Sequence, residues 1–245
     1  MAFGVRAFNE SGYTQIDETY GNLQVVANGT TGAMGTNTLL TTPLPSGVGS
    51  DAVVFIRPTA NTGVGAGNFI IFWGYLDFSA NTFVIGRPLA FSFYQGTYDY
   101  IVCVPNLTPP TSGYGLNVFT SGGDLAYSSE YNSVECVEAV NFSLSSFNDS
   151  FNFTENNAGW ASGDNVYDFY VLLNAMGKVG RVAGNSTTHY YRASAATYKY
   201  TGGTNPDAQN IKIGASELVA PSSSGAATTV FSTDSRCQVF AKYGG

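Results

Sequence analysis

A stretch near the start of the chain recurs in its middle without a gap. The copy from Phe3 reads FGVRAFNESGYTQIDETYGNLQVV, and the copy from Tyr114 reads YGLNVFTSGGDLAYSSEYNSVECV, at a constant offset of 114 − 3 = 111. Because the turn glycine and the spacing of the aromatic residues are kept, both copies are predicted to fold alike. The identical positions include Gly4 and Gly115, Phe8 and Phe119, Gly12 and Gly123, Tyr20 and Tyr131, and Val26 and Val137.

Each copy of the repeat is predicted to form a β-hairpin. The first copy alternates apolar and polar residues around a turn at Asn9 to Gly12. The second copy has two strand-like runs separated by a Gly-Gly-Asp turn. Alternation with a period of two, interrupted by such a turn, is typical of two antiparallel strands.

The rest of the chain also favours strands over helices. Runs rich in Val, Ile, Phe and Tyr end at Gly, Pro or Asn, as in VVFIRP, NFIIFWGYLDF, YDYIVCVP, NVYDFYVLL and QNIKIGASELVA. The window VLLNAMGKVG is the one place where a helix could form, and its two glycines limit it to a turn. Short strands separated by Gly and Asn turns predict an all-β fold of the sandwich or jelly-roll type.

Two tandem units are predicted from the repeat and from a proline-rich segment. VPNLTPPTSG, residues 104–113, holds three prolines directly before the second hairpin. We therefore predict two β-sandwich-like units, 1–108 and 109–245, each opened by a similar hairpin. Two long polar loops are expected at Asn28 to Asp51 and at Ala220 to Val230, and in a larger assembly such loops reach a neighbouring subunit.

Composition narrows the classes of partner. Hydrophobic residues make up 44% of the chain and charged residues only 11%, compared with about 25% charged in ordinary soluble domains. A neutral polar surface suits a protein packed against other proteins, or one that meets sugars. The net charge of −7, with ten scattered basic residues, argues against a nucleic-acid partner.

The sequence predicts no membrane span and no secretory signal. The longest apolar run, FIIFWGYL from Phe69 to Leu76, is too short to cross a bilayer and is expected to be a buried strand. The start of the chain lacks a charged segment followed by an apolar core. These features predict a chain that is made and assembled in a cytoplasm.

No metal site and no cofactor are predicted. The three cysteines, Cys103, Cys136 and Cys237, form no CxxC pair, and the chain has a single histidine, His189. Cys103 and Cys136 stand in strand-like runs, where a free thiol is expected to be a small buried apolar group.

No catalytic residues are predicted, and the chain is not expected to be an enzyme. His189 lies in a tyrosine-rich strand and no serine stands in a G-x-S-x-G motif. Glycoside cleavage would need two facing carboxylates. Four carboxylates are close in sequence, but nothing singles out a pair, so turn and cap roles are favoured for Asp149, Glu155, Asp164 and Asp168.

A binding site is predicted around one tryptophan and several tyrosines. Trp160 stands in the polar loop ENNAGWASGDN, where an exposed indole could stack on a sugar ring. The alternative is that Trp160 packs against the adjoining sheet or a neighbouring subunit. Trp73, inside the apolar run, is expected in the core, and the tyrosines of the predicted site are Tyr190, Tyr191, Tyr198 and Tyr200.

The opening residues resemble a family of virus proteins. The N-terminus MAFGVRAFNESG, with its early hairpin and later Ile-Asp step, is similar to small tail- and baseplate-associated virion structural proteins of tailed bacteriophages. The resemblance extends from Met1 to about Val25 and recurs at Tyr114 to Val137. It implies a structural part of the tail tip, baseplate or fibre attachment region, located in the virion and assembled in the host cytoplasm. No catalytic residue carries over.

Three functions follow as hypotheses. The first is a structural virion subunit whose duplicated hairpins present two similar surfaces, with other virion proteins as partners and a trimer or higher ring as the expected homo-oligomer. The second is an adhesin of the tail that binds a receptor or glycan of the host surface through Trp160 and the Tyr190 to Tyr200 region. The third is a polysaccharide-degrading enzyme, which would require the missing carboxylate pair.

Overall fold

In the residues that it describes, the computed structural model consists of strands with short 3₁₀ turns and no α-helix, which confirms the all-β prediction. It describes residues 6–8, 14–17, 22–34, 39–59, 69–86, 96–105, 107–108, 115–143, 150–154, 157, 159–173, 179–182, 188–199, 210–221 and 235–243. The strands are β1 (Arg6–Phe8), β2 (Thr14–Asp17), β3 (Gln24–Thr30), β4 (Leu39–Pro43), β5 (Val53–Pro58), β6 (Phe69–Asp77), β7 (Thr82–Gly86), β8 (Tyr98–Val104), β9 (Asn117–Phe119), β10 (Leu125–Ser128), β11 (Glu135–Ser143), β12 (Ser150–Thr154), β13 (Tyr170–Leu172), β14 (Val179–Val182), β15 (Thr188–Lys199), β16 (Asn210–Pro221) and β17 (Ser235–Lys242), with the 3₁₀ turn at Val166–Asp168.

Two antiparallel sheets and two hairpins make up the fold. The six-stranded sheet has the order β11-β17-β13-β5-β8-β3. The seven-stranded sheet has the order β12-β16-β15-β6-β7-β4, with β14 paired to β15 beside this path. The hairpins are β1-β2 and β9-β10, and β2 lies close to β10.

The main core lies between the two sheets. Alternation of side chains along each strand places one row of each sheet at this interface. Phe72 meets Tyr98 across the sheets at 5.2 Å between ring centroids, and Phe153 stacks on Phe240 at 4.3 Å. The fully buried aromatic side chains of this layer include Phe72, Phe83, Tyr98, Phe153, Phe169 and Phe240.

The sequence repeat is repeated in structure. β9 and β10 begin and end at the same offset from β1 and β2 that separates the two sequence copies, 117 − 6 = 111 and 125 − 14 = 111. Their registers also correspond, since Arg6 pairs with Asp17 in the first hairpin and Asn117 pairs with Ser128 in the second. Both ladders contain one irregular step. The prediction that the two copies fold alike is therefore confirmed for the described residues of both hairpins.

The correspondence continues into the six-stranded sheet. β11 begins at the same offset from β3, 135 − 24 = 111. Each strand has a register shift at the same aligned step, Val25 to Ala27 in β3 and Cys136 to Glu138 in β11. Beyond these strands, β8 corresponds to β17 and β5 to β13 in the order of the sheet. β-bulges are kept among related folds, so a register shift at the same aligned step in both strands indicates that the two halves are copies of one unit.

A pseudo-two-fold axis relates the two halves. Apart from β14, each half supplies three neighbouring strands to each sheet in the described residues, and the halves join through β5-β13 and β6-β15. Both sheet orders are unchanged when every strand except β14 is exchanged for its counterpart. In the six-stranded sheet the axis passes by the pair Phe55 and Leu172, which are each other's counterparts. The predicted boundary at 108/109 falls between β8 and β9, yet the two units share both sheets.

At one end of the six-stranded sheet, the start of β3 contacts the segment that precedes β11. Gln24 of β3 forms a bridge with Ser133, just before β11, and the Val25 N–H donates to the Asn132 carbonyl at 2.8 Å. The Tyr243 hydroxyl accepts hydrogen bonds from the side-chain amides of Asn28 and Asn132 at 2.8 and 3.3 Å. A second core packs on the face of this sheet opposite to the main core.

The second core is itself nearly symmetric. Five pairs of its residues are counterparts under the pseudo-two-fold axis: Leu23 and Val134, Val53 and Tyr170, Phe55 and Leu172, Ile101 and Val239, and Cys103 and Ala241. The remaining members are Val25 and Tyr243.

Several predictions need correction. The loop predicted from Asn28 to Asp51 contains the end of β3 and the whole of β4, because LLTTP alternates weakly and pairs with β7. The loop predicted from Ala220 begins inside β16, and the residues after Pro221 up to Val230 lie outside the described residues. Cys103 is buried as predicted, whereas Cys136 is exposed.

Candidate functional site

Trp160 is a core residue and not a surface platform. Its side chain is 8% exposed, and its ring lies 5.6 Å from Phe153 and 4.6 Å from Phe169 between centroids. Gly159 permits this position, since a Cβ there would lie 2.5 Å from the Cβ of Val137. The interpretation that Trp160 stacks on a sugar as an exposed ring is therefore wrong, and its alternative, packing against the adjoining sheet, is correct.

The predicted tyrosines are spread along β15. Tyr190 pairs with Val219, Tyr191 with Leu218 and Tyr198 with Ile211, and Tyr200 lies outside the described residues. Successive positions of a strand alternate between faces, so Tyr191 belongs to the opposite face from Tyr190 and Tyr198. Tyr198 stands in the same row of the sheet as the buried Ile211 and Ile70.

The carboxylates near Trp160 hold turns together. Asp164 accepts the Ala161 N–H at 2.6 Å and pairs with the ammonium group of Lys242. Asp168 accepts the Asn165 N–H at 2.6 Å and completes the cap of the 3₁₀ turn. The predicted cap and turn roles are confirmed for Asp164 and Asp168, while Asp149 and Glu155 lie outside the described residues.

A second charged cluster, formed by Arg57 and Asp99, lies beside the second core. Arg57 donates through Nε to Asp99 at 3.3 Å and through Nη1 to the Tyr167 carbonyl at 2.8 Å. Its guanidinium carbon lies 4.3 Å from the centroid of the Tyr170 ring. Thr30 donates to the other oxygen of Asp99 at 2.8 Å. Because each charge has a partner, this cluster fastens strands together.

The two described thiols differ in their surroundings. Burial raises the pKa of Cys103 to about 12, with a further contribution from the neighbouring Cys136 thiol. Desolvation also raises the pKa of Cys136, although its side chain is exposed, and Glu135 adds to the shift. Neither thiol has the lowered pKa of a catalytic nucleophile.

The outer face of the seven-stranded sheet carries an apolar surface that the sequence interpretation missed. Leu39, Gly86 and Trp73 form one row across β4, β7 and β6, and the next row holds Val84 and Tyr75. We call these five residues the outer aromatic face. Leu39 is 49% exposed and Tyr75 is 36% exposed. Val84, between them, is only 5% exposed, so the exposed apolar side chains of this face are Leu39 and Tyr75, and they make it a candidate protein or ligand contact.

Trp73 belongs to this face rather than to the core. A Cβ on Gly86 would lie 2.3 Å from Cε2 of Trp73, so the indole lies against the main chain of β7. The rings of Trp73 and Tyr75 are nearly parallel, at 14°, with centroids 6.1 Å apart. The apolar run suggested a strand buried on both faces. Gly86, a glycine inside a strand-like run, was the available sequence signal, but only the strand pairing shows that it lies opposite Trp73.

The free edge of β4 borders the outer aromatic face. The Leu44 N–H donates to the Asn81 carbonyl at 2.9 Å, and this pair continues the β4-β7 ladder, in which Leu40 is opposite Ile85. Antiparallel ladders alternate bonded and non-bonded pairs. The backbone groups of Leu40 and Thr42 therefore point toward β7, and those of Leu39 and Thr41 point away from it.

The opposite edge of the same sheet has the matching arrangement. The Thr154 N–H donates to the side chain of Asn157 at 2.8 Å, and the Thr154 carbonyl accepts the Asn157 N–H at 2.9 Å. Both groups of Thr154 thus point away from β16, its partner strand. By the same alternation, the backbone groups of Ser150 and Asn152 also point to the free edge. In the described part of the chain, β4 pairs only with β7 and β12 only with β16.

Comparisons with known proteins found no match for this chain. No protein-family model, no curated protein and no solved structure matches the chain.

The described residues hold neither a metal cluster nor a membrane-spanning helix. Within the ranges that the structure describes, no three His, Cys, Asp or Glu side chains are placed to hold a metal ion. No helix in those ranges is long and apolar enough to cross a membrane.

Proposed function

We propose that this chain is a structural subunit of a bacteriophage virion, in the tail tip, baseplate or fibre attachment region. The observation that carries the proposal is the outer aromatic face, which leaves Leu39 and Tyr75 exposed beside the uncharged edge strand β4. A neighbouring protein is an ordinary cover for apolar side chains that are exposed together on one face of a sheet. The resemblance of the repeated hairpin to tail and baseplate proteins supports the position in the particle.

The second hairpin supports the same function. Leu116 is 53% exposed and Phe119 is 45% exposed, and they are the aligned counterparts of Val5 and Phe8 in the first hairpin. Apolar side chains repeated on two similar hairpins suit contacts with repeated neighbours in a symmetric particle.

Light scattering after size-exclusion chromatography tests the proposal. We expect the full chain to form a discrete homo-oligomer whose population grows with protein concentration. Negative-stain electron microscopy should show a ring or short stack of defined symmetry. A strict monomer at the highest soluble concentration would count against a self-assembling structural subunit.

One observation favours the alternative function of glycan binding. Trp73 and Tyr75 form a stacked aromatic pair on a surface whose other residues are uncharged, and aromatic rings suit the apolar face of a sugar. Under this alternative, the anchor is the Trp73-Tyr75 pair and not Trp160. A glycan array with the wild type and Tyr75→Ala tests it, because a bound glycan should be lost with the ring, while Phe119→Ala should leave binding unchanged.

A further inference from the structure

We propose that the seven-stranded sheet continues from one copy of the chain into the next, with β4 of one copy paired to β12 of the other. The partner is a second copy of this chain, bound head to tail. The proposal rests on the structural role proposed above and specifies the surface and the geometry by which that subunit would assemble.

The available edges of the fold point to this sheet. In the six-stranded sheet, the start of the edge strand β3 is joined to the segment before β11 by the Gln24 and Ser133 bridge. The seven-stranded sheet has no such closure in the described ranges, where it ends at β4 on one side and β12 on the other. An unpaired edge presents a row of N–H and C=O groups that another strand can bind.

The composition of the two edges favours pairing. β4 reads LLTTP and β12 reads SFNFT, and neither strand contains a charged residue. Proteins that keep an edge unpaired commonly place Lys or another charge on it. β11, an edge strand of the six-stranded sheet, follows this rule, since it carries Glu135 and Glu138. Pro43 ends β4 and leaves Leu39 and Thr41 as the outward N–H donors.

Strand direction is correct for head-to-tail addition. All pairings from β12 through β16, β15, β6 and β7 to β4 are antiparallel. Six strands in alternation give edges that run in opposite directions. A second copy in the same orientation therefore sets its β12 antiparallel to β4 of the first, and the alternation continues.

Side-chain faces also agree across the proposed junction. Leu39 and Thr41, whose backbone groups point outward, lie on the face opposite the main core, because Leu40 between them packs on that core. In β12, the buried Phe153 occupies the core face, and Ser150 and Asn152 hold strand positions of the opposite phase. Residues that exchange hydrogen bonds in an antiparallel pair share a face. The main cores of neighbouring copies would then continue into each other.

The chain already contains one junction of the same kind. Its two halves, which have the same strand order, meet edge to edge at β6 and β15 in this sheet. β4 and β12 are the counterparts that remain at the outer ends. Addition of another copy repeats, between chains, the lateral joining of like units that occurs within one chain.

Two proline variants test the junction. Thr41→Pro removes an outward N–H from β4, and Asn152→Pro removes one from β12, at positions where the ladder to the neighbouring strand needs no donor. Thr41→Val and Asn152→Ser are the matched controls that keep the N–H. We expect each proline variant alone to lose every species heavier than the monomer in light scattering, while the controls assemble as the wild type does.

Mixing the variants identifies which edges meet. Thr41→Pro retains an intact β12 and Asn152→Pro retains an intact β4, so an equimolar mixture should form a single heterodimer that grows no further. Proline variants that assemble like the wild type would overturn the proposal. Dimerisation of Asn152→Pro alone would also overturn it, because β4 would then pair with β4.

Hydrogen exchange provides a test without substitution. As the wild-type concentration rises into the assembling range, exchange at the Leu39, Thr41 and Asn152 amides should slow, while exchange at the Gly122 turn should not. An oligomer that leaves these three amides unprotected would refute the β4-β12 junction but not the structural role. A monomer at all concentrations would contradict both.

Discussion

The indole of Trp160 anchors a polar turn to the main core. It contacts Phe153 and Phe169, and the turn is also held by Lys242, which pairs with Asp164 and lies 4.8 Å from the centroid of the Phe169 ring. The sequence ENNAGWASGDN predicted an exposed ring because its neighbours are polar. Asn157, Asp164 and Asn165 make local hydrogen bonds, so this part of the loop can be polar while its one aromatic side chain is buried.

Trp160→Ala should therefore act on stability. Removing a buried aromatic side chain costs about 3 to 5 kcal/mol through lost burial and the remaining cavity. Urea denaturation followed by circular dichroism measures the change. The control is Phe119→Ala, whose ring is 45% exposed and whose removal should cost within about 0.5 kcal/mol. Equal effects of the two substitutions would contradict the assigned burial.

The buried thiol of Cys103 should remain unreactive while the protein is folded. In a Cys237→Ser background, we expect a maleimide reagent to label Cys136, at a rate that increases with pH as its thiolate forms, and to spare Cys103. Mass spectrometry of tryptic peptides identifies the labelled residue. Labelling of Cys103 as fast as Cys136 in native buffer would show that its surroundings are open.

The same thiol makes stability depend on alkaline pH. The pKa of Cys103 is about 12 in the folded protein, compared with its ordinary value of 9.0. Between these values the unfolded chain loses its proton while the folded chain keeps it, so the free energy of unfolding should fall as pH rises from about 9 toward 12. Cys103→Ala should reduce this slope in urea titrations over that range.

Among the elements, β6 and β7 depend on glycines at their contacts. A Cβ on Gly74 would lie 2.2 Å from Cδ1 of Leu173 and 2.5 Å from the Val84 carbonyl oxygen. Gly86, in β7, provides the equivalent space for the Trp73 indole on the outer face. Glycine inside a strand often marks such close approach.

Gly74→Ala should destabilise the fold, because a main-chain atom must move to admit the methyl group. Overpacking of this kind costs about 1 to 3 kcal/mol. The matched substitution is Gly122→Ala in the second hairpin turn, where the nearest atom to a new Cβ lies at 3.6 Å. Comparing the two unfolding midpoints in urea isolates the crowding, and a smaller loss for Gly74→Ala than for Gly122→Ala would refute it.

How much the sequence reveals differs from element to element. The two hairpins were predictable because alternation and turn glycines are local signals. β4 was not, since LLTTP is short and its strand character comes from pairing with β7. The outer aromatic face was missed for a related reason: the run FIIFWGYL does not reveal that Gly86 lies opposite Trp73.

For the whole molecule, the shared sheets predict one cooperative unit. Each half contributes to both sheets and to both cores, so neither half can lose its strands without exposing the other. The proline-rich segment led to the predicted boundary between two units, but it did not indicate that the two halves pair side by side in shared sheets. That joining depends on pairings between residues far apart in the sequence, such as Leu172 with Phe55.

Single cooperative unfolding can be measured with one tryptophan in each half. In Trp160→Phe the fluorescence reports on Trp73, and in Trp73→Phe it reports on Trp160. We expect the fluorescence midpoint in urea to coincide with the circular dichroism midpoint for each variant, as two-state behaviour requires. Separate midpoints for the two halves, as independent domains would give, are the contrary result.

The junction of the two halves at Phe55 and Leu172 also affects how the chain folds during its synthesis. Before β13 and β15 leave the ribosome, a nascent first half ends at the open strands β5 and β6, and the first half of another nascent chain can take the place reserved for the second half. Two immature chains on one message could in this way exchange partners. The covalent link between the two halves opposes this exchange, because it holds the correct half at an effective concentration on the order of millimolar. Nascent chains would have to be as concentrated on a polysome to compete with it.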